Sequence, residues 1–372
     1  MSERPSIRRM ERFLGGVVDA GAFSSAIGLV ATAREIVWEG AAGQAREGAP
    51  ATTATRFDYA SLTKPFVATL ALTLDADGVL PLAARIGDLW PQAHRTLARR
   101  SLSDLLRHRS GLAGWTPLYD RCRSMKDTVA LIVRGGNDGD LMGARTGTYS
   151  DLGYILWGRT AEIATATPLA DLLRSRVLEP LGLATVEPTP PGDWADLAES
   201  HMGTGMEMKL AAKQGFIIPD LGPPPVGMPQ DGNGRFLIGL GAGGGVCGHI
   251  GLFGGIRDLW RLAVEWLTPG RLLKPEGVAA ALAGGGPFAL GWWRRTLRNS
   301  AGRALPPTAF GHTGFAGNSF WIDPDGRHVF VMLGSRCDPL SDVNRWRRRF
   351  NTAAARITLE FEREGTSADG HS

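Results

Sequence analysis

The chain has 372 residues, of which 43% are hydrophobic and 21% charged, so it can bury a sizeable core, and this excludes an intrinsically disordered protein. Its formal net charge of +4 comes mainly from arginines scattered along the sequence, a distribution that gives little support to nucleic-acid binding. No apolar run reaches the roughly 18 residues that span a bilayer. The 3 cysteines include no Cys-x-x-Cys pair, so they indicate neither a disulfide framework nor a zinc site, and we expect no metal and no cofactor.

The first predicted element is an amphipathic helix within residues 1–22. Its apolar residues recur at helical spacing between charged ones: Ile7, Met10, Phe13, Leu14 and Val17. This pattern favours a helix that packs against the fold over a signal peptide. Together with the cysteine usage, it predicts a cytoplasmic protein.

Two β-favouring runs follow, at residues 25–32 and 35–43, and they predict an antiparallel hairpin. A helix is predicted next, because apolar residues recur every three or four positions over residues 62–74. Ser61 then lies at the N-terminus of this helix. Pro65 falls in its first turn, where a missing N–H costs little.

The middle of the chain, from residue 78 to 199, is predicted to be mostly helical. The expected helices cover residues 102–107, 126–133, 153–166 and 169–178. Residues 188–245 are instead rich in glycine and proline and predict long loops over the surface, of a kind that is usually functional or mobile.

The last third of the chain contains strand-like runs and two helical patterns. Strands are expected at residues 288–296, 310–315, 318–322 and 328–334, and helices at residues 255–267 and 341–362. The turn Asp323-Pro324-Asp325-Gly326 predicts that the strands on either side of it are adjacent and antiparallel.

These elements predict an α+β (α/β) fold, in which strands from both termini form one antiparallel sheet flanked by helices, with an additional helical subdomain. The sheet domain would comprise residues 1–77 and 255–372. Residues 78–254 would form the mostly helical insertion with its long loops. The sequence shows no internal repeat.

One dense basic run lies in the predicted C-terminal helix. It consists of Arg345, Arg347, Arg348 and Arg349, interleaved with Trp346 and Phe350. We interpret it as a solvated helix face whose aromatic residues pack inward, and an anionic partner is the alternative interpretation.

The first element with chemical meaning is Ser61-Leu62-Thr63-Lys64. Serine and lysine three positions apart on a helix lie on one face, within side-chain reach. A serine hydroxyl needs a proton acceptor to become a nucleophile, and a lysine whose pKa is lowered by burial can serve. Lysine is scarce in this arginine-rich chain, which favours a functional Lys64 because arginine cannot deprotonate. An exposed helix start is the alternative for so short a motif.

Two further elements come later in the chain. Tyr149-Ser150-Asp151 precedes a predicted helix, and Tyr149 is a candidate phenolate or proton relay, with a packing role as the alternative. His312-Thr313-Gly314 lies on a predicted strand and is followed by Phe315. The small Gly314 would let a substrate backbone lie alongside this strand.

In this order, the three elements resemble the serine β-lactamase and penicillin-binding-protein family. Two framing segments agree with the class C and esterase-like branch of that family. Residues 103–112 (SDLLRHRSGL) are similar to its Leu-Leu-x-His-x-Ser-Gly-Leu segment, and residues 248–253 (GHIGLF) to its Gly-x-x-Gly-Leu-Phe stretch. The resemblance covers about residues 20–340 and implies a β-lactamase/transpeptidase-like fold.

The resemblance also implies a role for each matching residue. Ser61 would be the nucleophile, Lys64 its base and Tyr149 the relay toward the leaving group. The backbone N–H groups of Ser61 and Phe315 would form an oxyanion hole. The implied substrate-binding residues are Asp151, His312, Thr313, Gly314 and Phe315.

Two positions depart from the family pattern. Asp151 stands where asparagine is usual, and His312 stands where a lysine often holds a substrate carboxylate. The carboxylate of Asp151 and the weak, pH-dependent cation of His312 make an anionic β-lactam a less favoured substrate. The His-Thr-Gly element is more similar to that of the esterase and D-amino-acid-hydrolase members. No separate deacylating glutamate is identified, so Tyr149 and Lys64 would activate water.

A glycine pattern has a structural interpretation. Gly239, Gly241 and Gly244 fit Gly-x-Gly-x-x-Gly, the spacing of many dinucleotide-binding turns. No β-α-β unit surrounds them, so they predict a glycine-rich loop beside the site instead of a nucleotide fold.

Two histidines and two tryptophans are likewise assigned to the framework. His108 and His249 lie in apolar segments, so we expect them to make structural hydrogen bonds and not to act as metal ligands or bases. Trp292 and Trp293 are adjacent on a predicted strand and should point to opposite faces, as core or cleft wall.

The sequence therefore predicts a serine hydrolase that forms an acyl-enzyme on Ser61 and acts on a small-molecule ester or amide. Among the predicted reactions, ester hydrolysis ranks first, and amidase or D-amino-acid peptidase activity ranks second. A β-lactamase or DD-carboxypeptidase is one alternative, and a catalytically inactive family member that binds or scaffolds is another. We expect no nucleic-acid partner and no membrane span, and the sequence carries no signal for the oligomeric state.

Overall fold

The computed structural model describes residues 5–193, 195–337 and 342–369. Its helices are α1 (Pro5–Asp19), α2 (Thr63–Ala76), α3 (Ile86–Leu89), α4 (Arg95–Ala98), α5 (Leu102–Leu106), α6 (Leu118–Arg121), α7 (Met125–Val133), α8 (Asp151–Thr165), α9 (Leu169–Leu173), α10 (Glu179–Leu181), α11 (Gly205–Ala212), α12 (Gly232–Gly239), α13 (Ile256–Leu267), α14 (Pro275–Leu282) and α15 (Val343–Asp369). Its strands are β1 (Phe23–Thr32), β2 (Ile36–Arg46), β3 (Ala49–Pro50), β4 (Phe57–Asp58), β5 (Glu187–Pro188), β6 (Leu252–Gly254), β7 (Trp293–Arg294), β8 (Phe310–Thr313), β9 (Ser319–Asp323) and β10 (His328–Arg336). Residues 1–4 of the expected first helix and Ser341, the expected start of the last one, lie outside the described residues.

Strands from opposite ends of the chain lie side by side in the main sheet. It has seven antiparallel strands in the order β3-β2-β1-β10-β9-β8-β7, and Leu29 of β1 pairs with Val331 of β10 at its centre. Side chains of β1 alternate between the two faces, so Ile27 and Leu29 enter one core and Val30 the other. The predicted sheet built from both termini is confirmed.

Helices cover both faces of this sheet. On one face, α1 packs against α15, and Met10 and Leu14 are buried in the same cluster as Phe350. The helix predicted near the N-terminus is thus a packing helix. On the other face, α2 and α13 contribute Leu70 and Leu259 to the larger core. Within the described ranges, none of the helices combines the length and apolar character needed to cross a bilayer.

A small second sheet joins distant parts of the chain. Its order is β4-β6-β5, so a strand that leads toward Ser61 pairs with β6, and β6 pairs with a strand from the middle of the chain. The division into a sheet domain (1–77 and 255–372) and a helical insertion (78–254) stays a prediction.

Most predicted helices are found within two residues of their expected bounds, among them α2, α5, α7, α8 and α13. The helix expected at residues 169–178 starts as α9. It then widens to a π-helical turn at Arg174–Leu178 and continues into α10.

Two predicted segments differ from the structure. The prediction that residues 188–245 are loops throughout is wrong, because α11 and α12 lie there. Each helix is only 8 residues long, which is too short to leave a clear periodic pattern. The strand expected at residues 288–296 is reduced to β7, because the chain reverses just before it and the Ala289 N–H donates to the Trp292 carbonyl at 2.8 Å.

Candidate active site

Ser61 lies in a tight turn, Ala60–Leu62, directly before α2. Ala60 has a left-handed φ of 49°, a conformation that costs a residue with a Cβ about 1 kcal/mol. Asp58 Oδ1 accepts from the Ala60 N–H at 2.7 Å, and Asn318 Nδ2 donates to the carbonyls of Asp58 at 2.8 Å and Tyr59 at 3.2 Å. A side chain from the far end of the sequence therefore fixes the turn that presents Ser61.

The side chains of Ser61, Lys64 and Tyr149 meet at one point. Lys64 Nζ lies 2.9 Å from Ser61 Oγ, and the Tyr149 hydroxyl lies 2.9 Å from the same oxygen. Lys64 is fully buried, and its ammonium group also contacts Asp151 Oδ1 at 2.7 Å and the His249 carbonyl at 3.1 Å. The structure thus brings together the residues that the first two sequence elements predicted.

The electrostatic setting divides the proton-handling tasks between the lysine and the tyrosine. Burial lowers the pKa of Lys64, although the negative charges of Asp151 and Asp231 oppose this effect. Burial and the nearby Asp151 raise the pKa of Tyr149 well above its usual value. These shifts favour Lys64 as the group that becomes a neutral base, and they favour Tyr149 as a phenol that donates over the phenolate interpretation.

Aromatic neighbours hold the ring of Tyr149 in place. Trp293 stacks on it with ring centroids 5.4 Å apart and planes 19° from parallel, and the His108 ring lies 4.6 Å away. His108 Nδ1 accepts from the Ser150 N–H at 2.8 Å, which confirms the structural hydrogen bond expected of that histidine. Trp292 lies just before β7 and is buried in the core, so one tryptophan of the pair is core and the other cleft wall, as predicted.

The third predicted element forms an opposite part of the site. Thr313, Gly314 and Phe315 line the same cavity as Ser61. A Cβ at position 314 would lie 2.7 Å from both the Tyr59 carbonyl oxygen and Asn318 Nδ2. Glycine is therefore required because the end of β8 packs against the turn that carries Ser61, a reason different from the substrate contact that we predicted.

His312 is not on the cavity surface, where the resemblance placed a substrate-binding residue. Its ring is buried, and Nδ1 contacts the backbone N–H of Thr313 at 3.0 Å and the Thr313 carbonyl at 2.9 Å. Burial and the neighbouring Lys64 hold its pKa well below the usual value, so the neutral form is favoured. Among the described residues, His312 lies behind the cavity lining, 5.9 Å from the Tyr149 ring, and not in it.

Arg347 corrects the interpretation of the basic run as uniformly solvated. It is buried on α15, and its guanidinium donates to the carbonyls of Gly314 at 2.6 Å and Gly317 at 3.2 Å. Burial lowers its pKa to about 9. The side chain fixes the segment that carries Phe315 and lines the cavity as well.

The cavity beside Ser61 has a volume of about 540 Å³, within the range of small-molecule sites. One wall comes from the segment that was predicted to be loops: Met206, Glu207, Leu210 and Gln214. Sequence reasoning missed these residues because a short helix in a glycine- and proline-rich stretch carries little periodic signal.

Asp231 is the other functional candidate that sequence reasoning missed. It lines the cavity, and Oδ1 accepts from the Gly234 N–H at 2.6 Å and lies 3.3 Å from His249 Nε2. Burial alone would raise its pKa, but the hydrogen bond and charge of His249 lower it overall. His249 thus has the hydrogen-bonding role that was expected of it. Only the fold reveals that Asp231 lies near Lys64.

The glycine pattern lies elsewhere than expected. Around Gly243 and Gly244, the loop packs against Leu169 and Ala170 at the start of α9. Within the described part of the chain, these glycines are not among the residues that line the cavity with Ser61, so the loop is a packing feature.

Known proteins agree with this architecture. The family model described as Beta-lactamase matches residues 10–354. A relative from Escherichia coli (strain K12), named "Putative D-alanyl-D-alanine carboxypeptidase", is 26% identical over 383 aligned positions that cover 91% of this chain and 85% of the relative.

Solved structures show the same fold at lower identity. "EstCE1, a hydrolase with promiscuous acyltransferase activity" is 17% identical with a TM-score of 0.73, and the match covers 95% of this chain and 98% of that one. A class C β-lactamase from Rhodobacter sphaeroides is 18% identical with a TM-score of 0.67, over 94% of this chain and 98% of that one. The fold is β-lactamase/transpeptidase-like, and the chain belongs to the β-lactamase family of serine hydrolases.

Proposed function

We propose that this protein is a carboxylesterase that hydrolyses small esters through a covalent acyl-enzyme on Ser61. One observation carries the proposal: Ser61 Oγ lies 2.9 Å from both a buried amine and a phenol, at the edge of a cavity of about 540 Å³. A hydroxyl in contact with a base and a proton donor is the arrangement that nucleophilic catalysis requires.

Acylation begins when Lys64 takes the Ser61 proton and Oγ attacks the ester carbonyl. A bond forms between Oγ and the carbonyl carbon, and the carbonyl oxygen becomes an oxyanion that the N–H groups of Ser61 and Phe315 stabilise. The bond to the leaving alkoxide then breaks, and the alkoxide takes a proton from Tyr149, which regains one from the Lys64 ammonium. In deacylation, water attacks the acyl carbon while Lys64 takes one water proton. The bond between the acyl carbon and Oγ then breaks, Oγ regains a proton from the Lys64 ammonium, and the carboxylic acid is released.

The charge next to Ser61 supports a neutral ester over an anionic β-lactam, and the guanidinium of Arg347, which also lines the cavity, already donates to the carbonyls of Gly314 and Gly317. Asp151 places a carboxylate 2.7 Å from Lys64 Nζ, where it repels a second anion. His312 is buried and favours its neutral form, so it does not hold a substrate carboxylate. Apolar groups of Trp115, Leu210 and Trp293 line much of the remaining wall and suit an uncharged acyl chain.

A second candidate is cleavage of a D-alanyl-D-alanine amide, because the curated relative from Escherichia coli carries that activity in its name over 91% of this chain. The same residues would act, with the amine as the leaving group that Tyr149 protonates. The two candidates differ only in the bond cleaved, so kinetics with paired substrates separates them.

Covalent labelling tests the proposal. A fluorophosphonate probe followed by peptide mass analysis should modify Ser61 in the wild type. Ser61→Ala should abolish labelling, whereas Ser175→Ala, which removes an exposed serine hydroxyl, should leave it unchanged. An unlabelled Ser61 in folded protein would identify a catalytically inactive member of the family.

Substrate comparison then ranks the activities. We expect p-nitrophenyl butyrate to be hydrolysed with a higher kcat/KM than nitrocefin or a D-alanyl-D-alanine peptide. Faster turnover of the peptide would establish the second candidate, and faster turnover of nitrocefin would establish a β-lactamase.

A further inference from the structure

A groove between α1 and α15 gathers arginines from both ends of the chain. It has a volume of about 540 Å³, and its cationic lining consists of Arg9, Arg12, Arg345, Arg348, Arg349 and Arg356. The arginines of α15 follow helical spacing, so they form a stripe on one face of that helix. Among the described residues, the groove and the cavity beside Ser61 have no lining residue in common.

The positive charge of this groove is poorly balanced. In the described part of the chain, the ion pair found for these six arginines joins Arg348 Nη2 to Asp342 Oδ2 at 3.3 Å, and both side chains are exposed. The whole chain has a formal net charge of only +4, so the groove is a local concentration of charge. Like charges held together repel one another, and an anion bound between them would relieve this repulsion.

Aromatic rings hold two of the guanidinium groups in position. Arg345 lies over the Trp346 ring at 4.8 Å, and Arg349 lies over the same ring at 5.0 Å and over Phe13 at 6.0 Å. Such cation–π contacts limit the motion of long side chains and leave their N–H donors available. Phe13 also packs against Trp346 with ring centroids 6.2 Å apart, so both rings already have neighbours where a nucleobase would stack.

We propose that the groove binds a free oligophosphate anion. The guanidinium fork matches phosphate oxygens and donates two hydrogen bonds at once. From Arg345 to Arg356, the stripe runs for about 16 Å along the helix, long enough for several linked phosphates. The aromatic rings already pack against guanidinium groups and against each other, which does not favour a nucleic acid, and competition with anionic vesicles tests a bilayer surface.

Calorimetric titration of the full chain with sodium tripolyphosphate tests this binding. We expect saturable binding that weakens steeply between about 50 and about 200 mM NaCl. The charge-reversal variant R345E/R349E should raise Kd about 10-fold or more. The matched control R271E/K274E makes the same change of net charge at exposed residues outside the groove and should change Kd less than about twofold.

Two further readouts keep the test decisive. Circular dichroism and labelling of Ser61 report whether each variant is folded, and R9E/R12E on α1 tests the same groove if R345E/R349E does not fold. Equal losses of binding in the groove variant R345E/R349E and in the control variant would show a general charge effect and overturn the proposal. It would also be overturned by unsaturable binding, by tighter binding of a dT oligonucleotide, or by sedimentation with phosphatidylglycerol vesicles that tripolyphosphate does not compete away.

Discussion

The two walls of the cavity beside Ser61 are built in different ways. The Ser61 wall presents Ser61, Tyr149 and Gly314, with the buried Lys64 behind them, and it is tied together by close contacts between the segments before α2, before α8 and after β8. The α11 wall is made by Met206, Glu207, Leu210 and Gln214. Glu207 attaches it through hydrogen bonds from the Tyr119 hydroxyl at 2.9 Å and the Gly232 N–H at 2.8 Å, and Gln214 through one to the Trp115 carbonyl at 2.9 Å.

This difference separates chemistry from selectivity. Every polar group of the Ser61 wall contacts the proposed nucleophile or a neighbour that positions it, so a change there alters bond making and breaking. The α11 wall brings Met206 and Leu210 to the cavity and is held by a few polar contacts of Glu207 and Gln214, so a change there alters which acyl group fits. Substitutions on the two walls should therefore have effects of different size and kind.

Removal of the base should give the largest effect. Lys64→Arg keeps a positive charge but cannot deprotonate, so kcat/KM for p-nitrophenyl butyrate should fall about 10³-fold or more. The exposed Lys126→Arg makes the same exchange away from the site and should change nothing. Stopped-flow measurement of probe labelling checks the result, and wild-type rates in Lys64→Arg would remove Lys64 from the mechanism.

A tyrosine of the Ser61 wall and a tyrosine that anchors the α11 wall provide the next comparison. Tyr149→Phe keeps the ring that stacks on Trp293 but removes the proton donor, so kcat/KM should fall about 10²-fold. Tyr119→Phe removes the hydroxyl that holds Glu207 and should change kcat less than about threefold while it alters KM. Steady-state kinetics on both variants decides the point, and equal losses of kcat would contradict the division between the walls.

The Ser61 wall was largely predictable from sequence because its signals are local. Helical spacing places Ser61 and Lys64 on one face, and Tyr149 and Asp151 flank the N-cap of α8, where backbone geometry directs them. The α11 wall was not predictable, since its helix is only 8 residues long and its attachments come from distant segments. The sequence did not identify Asp231 as a site residue for the same reason, because Asp231 comes close to Lys64 only in the folded chain.

The burial of Arg347, by contrast, could be predicted from the helical spacing of α15. The described buried side chains of α15 follow one stripe at helical spacing: Val343, Arg347, Phe350, Asn351, Ala354, Ile357 and Thr358. Arg347 occupies this stripe, whereas Arg345 and Arg349 lie off it. Composition alone suggested one solvated basic run, and the phase of the helix divides that run into a buried carbonyl-binding arginine and an exposed groove.

Asp151 tests how the Ser61 wall sets the working pH. Its negative charge stabilises the protonated form of Lys64, so Asp151→Asn should lower the Lys64 pKa further. The neutral base then exists at lower pH, and the acidic limb of the kcat/KM profile should move down by about one pH unit or more. A limb that stays in place or moves up would mean that another group limits the rate there.

Glu207 gives the smallest predicted effect and reports on stability instead of catalysis. Burial and the nearby Asp231 raise its pKa from 4.5 to about 7, so in the folded protein it ionises less readily than in the unfolded chain. The contribution of protonated Glu207 to the stability of the wild type is therefore lost as pH rises from 4.5 through 7. Glutamine cannot ionise, so Glu207→Gln has no such loss. The Tm of Glu207→Gln relative to wild type should rise by about 2 °C between pH 5 and pH 8. Titration of His108 and His312 occurs in both proteins and cancels in this difference. Calorimetric melting at the two pH values decides the matter, because a constant difference would show that the α11 wall carries no ionisable anchor.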